Sequence, residues 1–406
     1  MDPSMTTIPT SKDRAVPTTC VVAVVLDVEG GSVDLTVSSV RASVYDLDRI
    51  VVVGPDGHED LDRYDSVAEL MDAIETSVDV VWIIHSDARP RPDALASLVV
   101  EMDRNEASLV GSKIIGADGV RLESIGSATD VFGEPYSGLD PDEVDLEQYD
   151  VVRDVAFVSG VSTLVRRDLL RGLGGLDRAV PPNAGGQDLS QRARLGGGRV
   201  MIVPSSEVLH DAVCQQDVAS WQERAGRFRS MMKVYSPVTL AWMIPIAMLI
   251  GFFDGLVRLF LRQPRVLGEH VMVLIWNIAK LPSTISERRR VRSIRQTGDE
   301  ELFRYQLPGS VLLRNLASDL GERFGWVIDS EPGVITEDEL VSETSRSVPV
   351  VVAASLVAVF LAARGVVFST LPASRFSLPL EADWLAVLEG YAGTWNPAGL
   401  GSLDPV

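Results

Sequence analysis

Trp82-Ile83-Ile84-His85-Ser86-Asp87-Ala88-Arg89-Pro90-Arg91-Pro92-Asp93-Ala94-Leu95 is a strand that runs into an acidic turn and then into a helix. The strand, Val78–Ile84 (VDVVWII), is an apolar run of strand length rich in β-branched residues. Pro90 and Pro92 punctuate the turn, and Pro92-Asp93 can start a helix whose Leu95, Leu98, Val99 and Met102 share one face. Working outward, Val21–Leu26, Ile50–Val53 and Leu109–Ile115 read as further strands, the second followed by the turn-former Gly54-Pro55-Asp56-Gly57. Downstream, Val155–Val158, Ser162–Val165 and Val200–Val203 read as strands, the last stopped by Pro204. Asp168–Leu173 and Asp188–Leu195 read as helices, ended by Gly174-Gly175 and by Gly196-Gly197-Gly198. Strands alternating with helices predict an α/β domain with a mostly parallel, Rossmann-like sheet. Ligands bind such sheets at the carboxyl ends of the strands, so the residues just after Ile84 mark the expected site. A carboxylate there suits Mg²⁺ or Mn²⁺. It equally suits a turn or helix cap, and spacing alone leaves both readings of Asp87 open.

The totals exclude some function classes. A formal net charge of -20 argues against nucleic acid as a partner, because phosphate binding needs clustered Lys and Arg. The two cysteines, Cys20 and Cys214, form no framework and suit a reducing compartment. The charge is uneven. Residues 134–154 are acidic, whereas residues 258–295 carry Arg258, Arg262, Arg265, Lys280, Arg288, Arg289, Arg290, Arg292 and Arg295. Basic residues beside an apolar stretch read as a segment facing anionic lipid.

The second half is apolar in blocks. Residues 1–18 are a polar lead without a signal-peptide core, so whatever precedes the first membrane segment is expected in the cytoplasm. Val238–Leu261 is long enough to cross a bilayer but contains Pro245, Asp254 and Arg258. A single crossing would place Arg288–Arg295 outside, against the positive-inside rule. A returning hairpin over 238–281, or helices lying in the interface, keeps that cluster inside and is the favoured expectation. Pro349–Leu371 reads as a transmembrane helix and 372–406 as an extracytoplasmic tail, whose abrupt end suggests a piece of something longer.

Three further stretches follow Asp87 in order. They are Ser159-Gly160-Val161-Ser162-Thr163-Leu164-Val165-Arg166-Arg167, leading to Leu173-Gly174-Gly175-Leu176-Asp177; then Asp188-Leu189-Ser190-Gln191-Arg192; then Val203-Pro204-Ser205-Ser206-Glu207-Val208-Leu209-His210. Together they resemble glycosyltransferase family 2, which has the GT-A fold, over about residues 21–215. Residues 216–345 and Trp395-Asn396-Pro397-Ala398-Gly399-Leu400-Gly401-Ser402 resemble its actinobacterial, membrane-attached members. The implied layout is a GT-A domain over 19–215, then membrane-associated helices and a basic cytoplasmic segment over 216–348. The implied activity is inverting transfer of a sugar from a nucleotide-sugar donor to a glycan or lipid-linked cell-envelope acceptor, by a domain held at the cytoplasmic face of the cell membrane. The resemblance implies that Asp87 and His210 hold a divalent metal (Mn²⁺ or Mg²⁺). It puts Asp27 near the nucleobase, Asp56 in the turn after the second strand and Gly160 in a loop lining the donor or acceptor sugar. Arg192 would face the diphosphate or the acceptor, unless it is an ordinary ion-pair residue of its helix. Asp188 would supply the base that takes the acceptor proton.

The chain departs from that family where catalysis is concerned. The usual acidic motif, roughly Glu-Asp-x-Asp-Leu, reads Gly185-Gly186-Gln187-Asp188-Leu189 here, so the carboxylate most often assigned as base falls on Gly186. Ser86 stands where an acidic residue is common. These departures support two alternatives: a degenerate GT-A domain that binds nucleotide sugar without turnover, and a membrane scaffold.

Overall fold

The computed structural model describes residues 17–55, 59–211 and 220–324. Val/Ile-rich runs become strands β1 (Val21–Leu26), β2 (Arg49–Val53), β4 (Val80–His85) and β6 (Leu109–Gly116), with β3 (Asp62–Tyr64) and β5 (Ala88–Pro90) short. Helices α1 (Val33–Arg41), α2 (Val67–Ala73) and α3 (Ala94–Arg104) intervene. An excursion through β7 (Leu122–Ser124), β8 (Ala128–Asp130), β9 (Pro135–Tyr136) and β10 (Arg153–Asp154) precedes β11 (Ser162–Arg166), α4 (Arg167–Leu173), α5 (Pro182–Leu195) and β12 (Val200–His210). The main sheet has the order β10-β12-β6-β11-β4-β1-β2-β3.

Every residue of β4 and β6 is buried; β4 reads as an apolar run up to His85, whereas β6 carries Ser112 and an ion-paired Lys113 in its middle. Alternate residues feed two cores. Val22, Val24, Val81 and Ile83 pack with α2, α4 and α5, while Val21, Ala23, Trp82 and Ile84 pack with Leu95, Leu98, Val99 and Met102 of α3.

Three expectations are corrected. The sheet is mixed: β11 lies antiparallel between β4 and β6, and β5, β7 and β10 are also antiparallel to their neighbours. The connection into β11 is the long excursion from β6, and it contains no crossover helix among its described elements. Val155–Val158 is not a strand. The ladder stops at Asp154, and the four residues turn apolar side chains inward while Phe157 bridges Ser127. Pro204 does not end β12. A bulge between Val203 and Glu207 absorbs the proline, and the strand runs on to His210.

Residues 220–324 pack onto this sheet domain within the same compact unit. They form α6 (Ser220–Val234), α7 (Pro237–Phe260), α8 (Pro264–Ala279), α9 (Leu281–Ile294), α10 (Asp299–Phe303), β13 (Gln306–Leu307) and α11 (Val311–Phe324). Among the described residues, α7 is the helix long and apolar enough to cross a membrane. It folds back on α8 as a hairpin. Gly251 and Gly255 allow the close approach: a Cβ at Gly255 would lie 2.8 Å from Leu267 Cδ1. Asp254 is buried between the helices, bonded to Arg258 Nε (2.8 Å) and His270 Nε2 (2.8 Å). The far end of α8 returns to the domain, where Asn277 donates to the Ala225 carbonyl of α6 (3.2 Å). Arg288 then donates to the Met232 carbonyl and Arg295 to that of Val234. The arginine-bearing segment thus packs on the same sheet domain from which α7 departs. The expected span at 349–371, the polar lead apart from its last two residues, and the tail lie outside the described residues.

Candidate active site

The turn after β4 is held from all sides. Ser86 N–H donates to the Leu26 carbonyl, and Ser86 Oγ accepts from the Val28 N–H (3.0 Å). Thr36 Oγ1 donates to the Ala88 carbonyl (2.7 Å). Ser86 is thus spent on bracing the backbone between its two neighbours. Gly31 is required beside it, because a Cβ there would meet Ser86 Oγ at 2.2 Å. The extended end of β12 pairs with β5, His210 opposite Ala88, and this brings His210 to the turn across 123 positions of sequence.

Three buried side chains able to ligate a cation converge. His210 Nε2 lies 3.3 Å from Asp87 Oδ2, His85 Nδ1 lies 4.0 Å from Asp87 Oδ1, and one ligand atom from each residue falls within 4.8 Å of the others. Burial, helped by nearby His210, pushes His85 down to about 4, so it is the neutral imidazole that ligates metals. Its Nδ1 is buried without a hydrogen-bond partner, a cost that a coordinated cation would remove. On the outer side, His210 Nδ1 is 2.6 Å from Glu123 Oε2 of β7, the carboxylate–histidine arrangement that orients metal ligands. The donor set therefore fits a divalent metal. Two imidazoles with one carboxylate suit Mn²⁺ better than Mg²⁺, which prefers oxygen. Glu123→Gln should weaken metal affinity roughly 10- to 100-fold while leaving the fold intact, measurable by calorimetric titration with Mn²⁺.

Beside the cluster lies a cleft of about 190 Å³ at the carboxyl ends of β1, β2 and β4. Its lining includes Asp27, Val28, Asp65, Ser66, His85, Gly160, Gly185, Gly186 and Asp188. Asp27 and Gly160 both line this cleft, and Asp56 lies outside the described residues. Gly160 separates His85 from α5. A Cβ there would stand 3.2 Å from the Gly186 nitrogen and 3.5 Å from His85 Nε2.

Helix α5 starts six residues earlier than expected, with Pro182 in its first turn, so Gly185 and Gly186 are helical. The two glycines differ. Nothing lies within 4 Å of a Cβ built on Gly185, whereas one on Gly186 would meet the Val158 oxygen at 2.3 Å and the Gly160 nitrogen at 2.4 Å. The 158–160 loop occupies the space that a side chain at 186 would need.

Asp188 borders the cleft but is 1% exposed. Its Oδ2 accepts from Arg192 Nε (2.8 Å); its Oδ1 meets Lys233 Nζ (2.5 Å) and Ser230 Oγ (2.7 Å). Burial opposes its ionisation, but the charges of Arg192 and Lys233 outweigh that and hold it well below the usual carboxylate range. A carboxylate so held is a weak proton acceptor. Arg192 is placed in the interior, where its Nη1 also donates to the Leu173 and Gly175 carbonyls, and it does not face the cleft. Lys233 also binds Asp177 Oδ2 (2.6 Å), which Arg229 Nε reaches at 2.9 Å.

Sequence reasoning missed His85, Glu123 and Lys233. The signal for His85 was present, since His85-x-Asp87 places both side chains on one side of an extended segment. Glu123 and Lys233 reach the site through tertiary contacts and carry no local mark.

The sequence pattern described as glycosyl transferase family 21 matches residues 65–318, from the edge of the cleft through the hairpin and into α11. The chain belongs to glycosyl transferase family 21. It is a glycosyltransferase, and the agreement with the expected family 2 is at that level. No curated protein matches the family 21 chain. Among solved structures it is similar to residues 1–349 of S. aureus TarS in complex with UDP-GlcNAc, at 11% identity and a TM-score of 0.40, covering 76% of this chain and 92% of that one. Mannosyltransferase PcManGT from Pyrobaculum calidifontis, in complex with GDP-Man and Mn²⁺, gives 13% identity and 0.36, covering 75% and 80%. GalNAc-T7 with UDP, GalNAc and Mn²⁺ gives 15% and 0.36 over 47% of this chain; the family 21 chain spans only 44% of that protein's length.

Proposed function

We propose that this chain moves a sugar from a nucleotide-sugar donor to a cell-envelope acceptor at the cytoplasmic face of the membrane, with inversion, on a GT-A domain. The observation that carries this reading is the buried His85–Asp87–His210 cluster, whose His85 lines the cleft. A divalent cation held there, Mn²⁺ in preference to Mg²⁺, would neutralise the departing diphosphate. Asp87 and the two imidazoles are its ligands, and Glu123 orients His210. Asp27, which lines the same cleft, would contact the nucleoside, and Gly160, with no side chain beside His85, would leave room for the sugar. The strand order, with antiparallel β11 inserted among parallel strands, supports the GT-A reading. The apolar hairpin supports membrane attachment.

Proton transfer is the step where the geometry departs from the expectation. Asp188 is bound by Arg192, Lys233 and Ser230, so we assign it to holding α5 and α6 together. An acceptor oxygen that is already ionised needs no base, and this favours a phosphate or carboxylate acceptor over a sugar hydroxyl. The test is a screen of nucleotide sugars against membranes containing the full-length protein, with Mn²⁺ and then with chelator. The reading expects metal-dependent transfer that is lost in His210→Ala. Transfer that survives both treatments would overturn the metal site, and binding without hydrolysis or transfer to any acceptor would favour a non-catalytic domain.

A further inference from the structure

At the root of the hairpin is a second cavity, of about 550 Å³, remote in character from the cleft because cations dominate its lining. Lys233 comes from α6, Arg288 and Arg292 from α9, Arg295 from the cap of α9, and Asp299 and Glu300 from α10. Three of these charges, Lys233, Arg295 and Asp299, are spoken for. Lys233 serves Asp177 and Asp188, and Arg295 serves Asp299 and the Val234 and Thr297 carbonyls. Two are not. Arg288 donates only to the Met232 carbonyl, and Arg292, exposed one turn later on the same helix face, pairs with nothing among the described residues. Burial, together with the neighbouring Arg295 and Arg292, pulls Arg288 below the usual arginine range. The helix C-terminus favours cations nearby but gives these two no partner.

Guanidinium forks gathered in this way match the oxygens of a phosphate group. The cavity also includes Pro237, where α7 begins, and the next residue, Val238, opens the apolar outer face at 78% exposure. Trp242, Ile246, Leu249 and Phe252 continue that face. We propose that the cavity binds a phosphate group on Arg288 and Arg292, placed where a lipid with its chains along α7 would present its headgroup. The assignment goes beyond the sugar-transfer reading and is tested without donor or acceptor.

The experiment titrates full-length protein in a neutral detergent with inorganic phosphate, with dihexanoyl phosphatidic acid and with dihexanoylglycerol. Phosphate and phosphatidic acid are expected to bind and dihexanoylglycerol to bind at least tenfold more weakly than phosphatidic acid. A tighter phosphatidic acid marks a lipid headgroup as the source; equal affinities mark a free anion. Arg292→Gln should weaken both phosphate probes at least fivefold and Arg292→Lys less, with melting temperatures unchanged because Arg292 is exposed. Undiminished binding to Arg292→Gln, or dihexanoylglycerol binding as tightly as phosphatidic acid, would overturn the assignment.

Discussion

Asp188→Asn should cost about 3–5 kcal/mol of folding stability, the range for breaking a buried ion pair by removing one partner. The carboxylate sits between Arg192 and Lys233, both buried, and an amide gives each at most a neutral acceptor. Lys233 keeps Asp177, but Arg192 keeps only backbone carbonyls. Urea denaturation monitored by circular dichroism measures the loss, with Arg292→Gln as a surface control expected within about 0.5 kcal/mol of the parent. The sign with pH is set by the lowered carboxyl. Its contribution is complete above the unfolded carboxylate range, about pH 4, and is lost as pH falls below it. The parent should therefore lose more stability than Asp188→Asn on acidification. The same variant separates anchor from base: if Asp188 anchors, transfer per folded molecule persists in Asp188→Asn, and if it is the base, transfer is abolished while the folded fraction still binds donor.

Restoring the acidic motif should fail at one position and succeed at the other. Gly186→Asp is expected to cost about 3 kcal/mol or more, because its Cβ would stand 2.3 Å from the Val158 oxygen and 2.4 Å from the Gly160 nitrogen, and backbone on both sides must move. Displacing Gly160 would also disturb His85, so the variant should lose activity instead of gaining a base. Gly185→Ala, one residue away in open space with ordinary helical geometry, should gain about 0.5–1 kcal/mol by relieving the entropic cost of glycine in a helix. Thermal denaturation of the pair decides the matter. Equal effects would mean that the 158–160 loop yields freely and that the motif was lost by drift and not by closure of the space.

The strands that position Asp87 were legible because each is a buried Val/Ile run bounded by turn residues. Val21–Leu26 came out with its predicted limits, and α3 followed from apolar residues at helical spacing. Asp87 and His210 could be singled out from motif order. The sequence alone therefore determined an α/β sheet, an acidic turn at its carboxyl edge and an apolar, arginine-flanked second half, because these depend on patterns within ten or so residues. Only the tertiary structure decided that β12 runs past Pro204 to carry His210 to Asp87. It alone showed that Glu123 backs that histidine, that Lys233 and Arg192 hold Asp188, that the 158–160 loop closes on Gly186, and that α7 returns through α8. Each of these is a pairing between segments distant in the chain. Which partner a buried charge or a bare helix face meets depends on how whole elements pack, and no local preference encodes that choice.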